Sequence, residues 1–260
     1  MGTMCGYVIY AIVENKNHLK KNIVQLYMDI LHSCFVNYRG FDILYSTLDS
    51  HKDHPPTAQT LKGKIWEKKL FYIYRDLLQP DDIALDCGAY IGTHALPMSK
   101  YCKEVHAFEM VEDIYNVLKL NKEENDCDNL FLYNEALSQN ERDEWIAERQ
   151  TGTSKILTEA QASRAMNDSS NKLGKLKSKK TKSLDQIFPE KTGIKLLKID
   201  VEGNEFALLY GAEKLIERNR PHILIEVWRH KRETLKQWAI RNKYKMEWLR
   251  GDDFYLEPLP

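Results

Sequence analysis

The sequence predicts an α/β fold, a doubly wound and mainly parallel sheet that ends in an antiparallel C-terminal hairpin. Three observations predict it. Residues 82–109, DIALDCGAYIGTHALPMSKYCKEVHAFE, read as a strand, a glycine turn, a helix and a second strand ending in an acid. Further along, short apolar runs alternate with stretches whose apolar residues recur at helical spacing, as in successive βαβ units. The last two such runs, YKMEWLR and DDFYLEP, flank Gly251–Asp252, a pair suited to a tight turn.

Each element has its own signal. An amphipathic helix is expected over 16–33, and FVNYRG followed by FDILYSTLDS suggests a hairpin across Arg39–Gly40. The turn-rich HKDHPP at 51–56 marks a boundary. Residues 1–60 are therefore expected to form an N-terminal extension and 61–260 the main domain. Residues 64–78, KIWEKKLFYIYRDLL, carry helical spacing that stops before Pro80. Strands are expected at 82–87, 104–109, 130–137, 194–201 and 221–227, with helices at 92–102, 111–125, 204–217 and 231–242. The run DIALDC is apolar enough for a parallel strand covered on both faces. Between 150 and 182 the pattern dissolves into small, polar and basic residues, with lysines at 172, 175, 177, 179, 180 and 182. That stretch is expected to be a solvated basic loop, or alternatively a lid.

Bulk properties narrow the function. With 38 basic and 38 acidic side chains the net charge gives no support for a generic polyanion binder, while leaving room for local patches. Its five cysteines form no C-x-x-C pair and suggest reduced thiols in a cytoplasmic protein. The apolar stretch at 5–13 is far below the ~20 residues of a membrane-spanning helix, and no membrane partner is expected.

The glycine turn indicates a nucleoside site. Gly88 and Gly92 bracket a turn tight enough to bring backbone against a ligand, and Glu109 follows where an acid can hold ribose hydroxyls. A dinucleotide site usually carries G-x-G-x-x-G, whereas the spacing here is G-x-x-x-G with Asp86 two residues ahead. A carboxylate there suits the cationic amino-acid end of S-adenosylmethionine and would repel a pyrophosphate. A turn holding NAD, or no ligand, is the competing reading of this segment alone.

A second segment adds more. IKLLKIDVEGNEFALLYGAEKLIERNRPHILIEV at 194–227, with DCGAYIG, VHAFE, NEAL at 134–137 and TGTSKI at 151–156, resembles the FkbM-type family of S-adenosylmethionine-dependent O-methyltransferases. The likeness spans roughly residues 64–228 and implies a class I methyltransferase fold, which is Rossmann-like. By this resemblance Asp86, Gly88, Ala89 and Gly92, with Thr93 and His94 beside them, would line the methionine end of the cofactor. Glu109 would hold the ribose, Asn134–Glu135–Ala136 would lie beside the adenine, and Asp200 would face the methyl group. The family commonly has Glu-Pro after its second strand, where this chain has Glu109–Met110.

Several residues leave two readings open. Lys198 and Asp200 share one face of their strand, either as an ion pair or as site residues. Glu202 could orient substrate or favour the next helix N-terminus. Glu226 could meet Asp200 across the strand tips as a carboxylate pair able to hold Mg²⁺ or an acceptor diol. His230 is a candidate base or a surface histidine. His94 could contact cofactor or cap its helix. Glu67 and Trp66 could cover the pocket, or Trp66 could be core. The expected activity is methyl transfer to a hydroxyl of a carbohydrate or related small molecule, with ribose 2′-O-methylation of RNA as the alternative. A non-catalytic cofactor-binding module and a dehydrogenase complete the competing classes.

Overall fold

The computed structural model describes residues 30–148, 154–167 and 174–260. The expected helix at 16–29, the apolar stretch at 5–13, Lys172 and residues 151–153 of the TGTSKI motif lie outside them.

A seven-stranded sheet carries the fold. Its strands are β3 (Ile83–Cys87), β4 (Glu104–Phe108), β5 (Leu130–Tyr133), β10 (Ile194–Ile199), β11 (His222–Glu226), β12 (Tyr244–Arg250) and β13 (Asp253–Pro258). They lie in the order β12-β13-β11-β10-β3-β4-β5. The chain winds outward from β3 through β4 to β5, then returns to β10 on the other side of β3. The carboxyl ends of β3 and β10 thus form the topological switch point, where open α/β sheets bind ligands. β13 runs antiparallel between β11 and β12. The C-terminal hairpin is therefore inserted into the sheet, with its second strand inside and its first at the edge.

The alternation along each strand divides the core. Ala84, Val105, Ala107, Leu196 and Leu224 face one layer, containing α2 (Lys68–Leu77), α3 (Ala95–Met98) and α4 (Glu112–Glu124). Leu85, Cys87, Leu197, Ile199 and Ile225 face the other, containing α7 (Glu205–Tyr210), α8 (Glu213–Asn219) and α9 (Arg232–Arg241). The expected helix at 204–217 is broken at Gly211, where the backbone runs so close to the Ser138 carbonyl oxygen that a Cβ would lie 2.2 Å from it. Similarly, α3 is one turn long, and α2 starts only after Glu67, which takes a left-handed φ of 42°.

The N-terminal hairpin forms as expected, with β1 (Ile30–Asn37) antiparallel to β2 (Asp42–Leu48) and Arg39 and Gly40 at positive φ. Residues 30–33 are strand rather than helix. Val36 and Tyr38 are buried between exposed Phe35 and Asn37, a period of two. The hairpin is clamped to α4 by two asparagines one turn apart. Asn125 Oδ1 accepts from Leu44 N–H at 2.8 Å and its amide donates to Leu44 O at 2.7 Å. Fully buried Asn121 does the same for Ser46 at 2.7 and 3.1 Å, and also donates to Ile91 O at 2.9 Å. Behind this clamp the chain turns into α1 (Pro55–Thr60).

The stretch expected as a basic loop is largely ordered structure. β6 (Ala136–Leu137), β9 (Lys175–Lys182), β7 (Asp143–Glu148) and β8 (Ser154–Leu157) form a second sheet in that order, with α5 (Glu159–Asn167) against it. A strand as basic as KLKSKKTK is tolerated because acids lie around it. Lys177 pairs with Glu148 at 2.9 Å, Lys180 with Glu141 at 3.1 Å and Lys182 with Glu135 at 2.7 Å. The expected strand 130–137 splits for the same reason: Ala136–Leu137 leave the main sheet to pair with Thr181–Lys182. Among the described residues no helix is long and apolar enough to cross a membrane.

Replacing Asn121 by alanine should leave buried Ser46 and Ile91 backbone groups unpaired. The expected loss is about 1–3 kcal/mol in chemical denaturation; an unchanged midpoint would mean the clamp is not what seats the hairpin.

Candidate active site

At the switch point the two central strands touch. Gly88 has a φ of +88°, and a Cβ added there would lie 1.8 Å from the Asp200 carbonyl oxygen. The turn after β3 and the tip of β10 therefore pack backbone to backbone, which only glycine permits. Gly92 serves packing instead: its Cβ would meet Leu96 and Leu118 at 2.9 Å, and it does not line the cleft.

A solvent-open cleft enclosing about 790 Å³ of empty space lies over this junction. Gly88, Thr93, His94, Glu109, Met110, Glu135, Lys198, Asp200 and Glu202 line it, so sequence expectations from four separate segments converge there. Trp66 lines it as well, on the cover side rather than in the core. His54, Pro56, Tyr90, Phe108, Leu137, Ser154, Ile156 and Val201 complete the walls without having been assigned a role. His54 sits inside the turn-rich HKDHPP, where composition marks only a boundary. Its ring lies 4.9 Å from that of Tyr90, whose hydroxyl is 2.7 Å from Thr57 Oγ1. Burial pushes the His54 imidazole down to about 4, with His51 adding to the effect.

Glu109 is buried and oriented from both sides. One carboxylate oxygen accepts from Tyr90 N–H at 3.0 Å and the other from Val111 N–H at 2.9 Å. Burial nevertheless raises its pKa to about 7. Asn134 stands behind it, donating to Glu109 O at 2.9 Å and accepting from Lys179 at 2.8 Å. Lys179 also donates to Met110 O at 2.6 Å, so one lysine of the basic segment ties the second sheet to the ribose-side turn.

Beneath the cleft, Lys198 lies 3.4 Å from Asp86 and 3.5 Å from Asp200. Burial alone would lower the Lys198 pKa, but Asp86, Asp200 and Glu67 hold it well above the ordinary lysine range. Burial opposes charge on Asp200 too, yet Lys198 and a hydrogen bond from Glu226 keep it below the usual carboxylate range. Glu226 takes the opposite course: burial and the Asp200 charge raise it to about 10, so it is protonated and donates to Asp200. The expected meeting of Asp200 and Glu226 thus occurs, as a proton-sharing pair. Among the described residues no group of three or more His, Cys, Asp or Glu side chains is arranged to hold a metal ion.

Other expected residues lie elsewhere. Asp86 is buried behind the cleft rather than lining it, because its position on β3 faces Lys198. Ala89 and Ala136 are buried outside the cleft lining. Glu67 and Glu226 line a smaller adjoining cavity with Lys198, Asp200 and Asp253. His230 is exposed on the 3-10 turn Arg229–Lys231, its ring 6.0 Å from Trp228, and is absent from the cleft. That turn carries it outward past the tip of β11.

The donor set fits S-adenosylmethionine. Glu109, Glu135, Asp200 and Glu202 face the cleft, and its one lining lysine is already paired with Asp86 and Asp200. Such a lining favours a cation and offers little to a pyrophosphate. The Asp86 carboxylate, held only by the ion pair to Lys198, makes no hydrogen bond.

The family model for the methyltransferase FkbM domain matches residues 86–243, more than half of the chain. The chain belongs to this family. It is an S-adenosylmethionine-dependent methyltransferase. No curated protein matches its sequence. Among solved structures, this methyltransferase resembles the FkbM methyltransferase of Methylobacillus flagellatus KT at 16% identity and TM-score 0.47, over 72% of this chain and 50% of that one. An rRNA methylase from Streptococcus thermophilus is 14% identical with a TM-score of 0.46, over 74% and 95%. The AdoMet complex of M. jannaschii TYW2 is 13% identical with a TM-score of 0.43, over 86% and 83%.

Two measurements check the cleft. Gly88→Ala should abolish S-adenosylhomocysteine binding in calorimetry, since the added methyl cannot coexist with the Asp200 carbonyl. Affinity of the unmodified enzyme should weaken as pH falls through 7 and Glu109 takes up its proton, by up to about tenfold per pH unit. A pH slope that survives in Glu109→Gln would assign it to another group.

Proposed function

We propose that this FkbM-family enzyme transfers a methyl group to a hydroxyl of a carbohydrate or related small molecule in the cytoplasm. The observation that carries this reading is Asp200, a half-buried, ionised carboxylate at the tip of β10 within the cleft. S-adenosylmethionine supplies the methyl group on an electrophilic sulfonium.

The remaining chemistry falls to the chain. Glu109 holds the ribose, and Glu135, beside Ser154 and Ile156, borders the adenine side. Asp200 meets both the sulfonium charge and the acceptor hydroxyl. Lys198 and Glu226 fix its orientation and keep it ionised. Holding the acceptor in line with the methyl carbon supplies most of the acceleration in such a displacement. Trp66, Pro56 and His54 enclose the acceptor side, with apolar and aromatic surface suited to the faces of a sugar ring.

RNA is the second reading, and the fate of the basic segment weighs against it. Lys177, Lys179, Lys180 and Lys182 are all engaged by acids or backbone of the protein itself. Phosphate contacts need free lysines and arginines. For location, the buried cysteines Cys87, Cys102 and Cys127 are free thiols, as suits a reducing compartment.

Labelled-methyl transfer onto panels of glycans, small alcohols and RNAs tests the assignment. Glycan or alcohol labelling that Asp200→Asn abolishes, with S-adenosylhomocysteine affinity retained, is the expected result. Labelling confined to RNA, with a steep salt dependence, would overturn it.

A further inference from the structure

Transfer to a hydroxyl needs a destination for the hydroxyl proton. Asp200 is poorly suited, since Lys198 and Glu226 hold it ionised and low. His230 is outside the cleft. His94 is different. It lines the cleft at the start of α3, and its side chain is 4% exposed. It makes no capping hydrogen bond to its own helix. Its Nε2 lies 3.1 Å from Glu67 Oε2. With the carboxylate accepting at Nε2, the neutral ring carries its proton there and leaves a lone pair on Nδ1. Nδ1 is buried and has no hydrogen-bond partner among the described residues. Unsatisfied buried nitrogens are rare enough to require a reason, and a ligand group in the adjoining cleft supplies one.

We propose that His94 is the general base of this enzyme and that Glu67 is the residue that positions it. The inference rests on the hydroxyl-acceptor reading given above. In the step, the acceptor O–H proton passes to His94 Nδ1 and the oxygen lone pair forms the new bond to the methyl carbon. The electron pair of the broken sulfur–carbon bond remains on sulfur as a neutral thioether. Glu67 then faces an imidazolium and stabilises it, the arrangement of a base oriented by a carboxylate. The geometry holding Glu67 is itself unusual. Its backbone is left-handed at the entry to α2, and Arg250 stands 3.9 Å from its second oxygen. The ring of Tyr74 meets that of His94 edge-on at 6.0 Å. The imidazole is thus fixed from two sides, with only Nδ1 left to act.

The test uses the full-length enzyme with S-adenosylmethionine and an alcohol acceptor found in the panel above. His94→Gln should lower single-turnover methyl transfer by ~10²–10⁴-fold, the usual share of a general base. Its S-adenosylhomocysteine affinity by calorimetry should stay within about threefold of the parent's. The defect should shrink with a fluorinated alcohol, whose hydroxyl gives up its proton more readily. Glu67→Gln, close in volume, should lower the rate by less and shift kcat rather than KM; it carries the test if His94→Gln does not fold. Retained transfer in either variant overturns the proposal, as does lost S-adenosylhomocysteine binding, which would make His94 a cofactor ligand. Failure of the parent enzyme to label any hydroxyl would instead overturn the acceptor reading, and this proposal with it.

Discussion

The contact on which the site depends is the buried ammonium of Lys198 between Asp86 on β3 and Asp200 at the tip of β10. Removing three charges from water is costly, and only mutual compensation makes it tolerable. The arrangement joins the two strands at the point where the sheet reverses direction. It also sets the charge of everything nearby. Asp200 stays ionised because Lys198 is there, and Glu226 stays protonated because Asp200 is ionised. The cleft thereby presents a fixed negative charge, the sign that suits a sulfonium.

The second organising device ties the hairpin, which precedes the segment that matches the family, to α4. Asn121 and Asn125, one turn apart on α4, present their amides to the backbone of β2 much as a neighbouring strand would. This seats the hairpin and, through it, the turn carrying His54 and Pro56. The family match begins at residue 86, whereas His54, Pro56 and Trp66 all precede it. One wall of the cleft is thus supplied by chain that precedes the matched segment.

Much of this was legible in sequence because it depends on local pattern. The apolar run DIALDC, the glycine turn and the acid at 109 dictate a βαβ unit almost residue by residue, and Gly88 and Glu109 lie where that unit requires. KIDVEG likewise brought Lys198, Asp200 and Glu202 to the cleft. What sequence could not give is long-range pairing. The lysines of KLKSKKTK look solvated until Glu135, Glu141 and Glu148 are brought beside them by the fold. His54 carries no signal in a turn-rich boundary segment, since only the hairpin clamp brings it to Tyr90. Asp86 was expected at the cofactor and instead faces Lys198, because strand register rather than motif spacing decides where it points. The roles of the residues gathered in the cleft follow from their chemistry, not from their spacing.

The sheet built from β6, β9, β7 and β8 is tied to the main body at its β6 end, where Leu137 enters the core and accepts from the Asn204 amide, and by the Lys179 bridge to Met110 and Asn134. Ser154 and Ile156 on β8 line the cleft. Their strand is not part of the seven-stranded platform, so this stretch of lining can vary while the platform is kept. Evolution of such an enzyme toward new acceptors therefore has a tolerant place to begin, and so does a protein engineer.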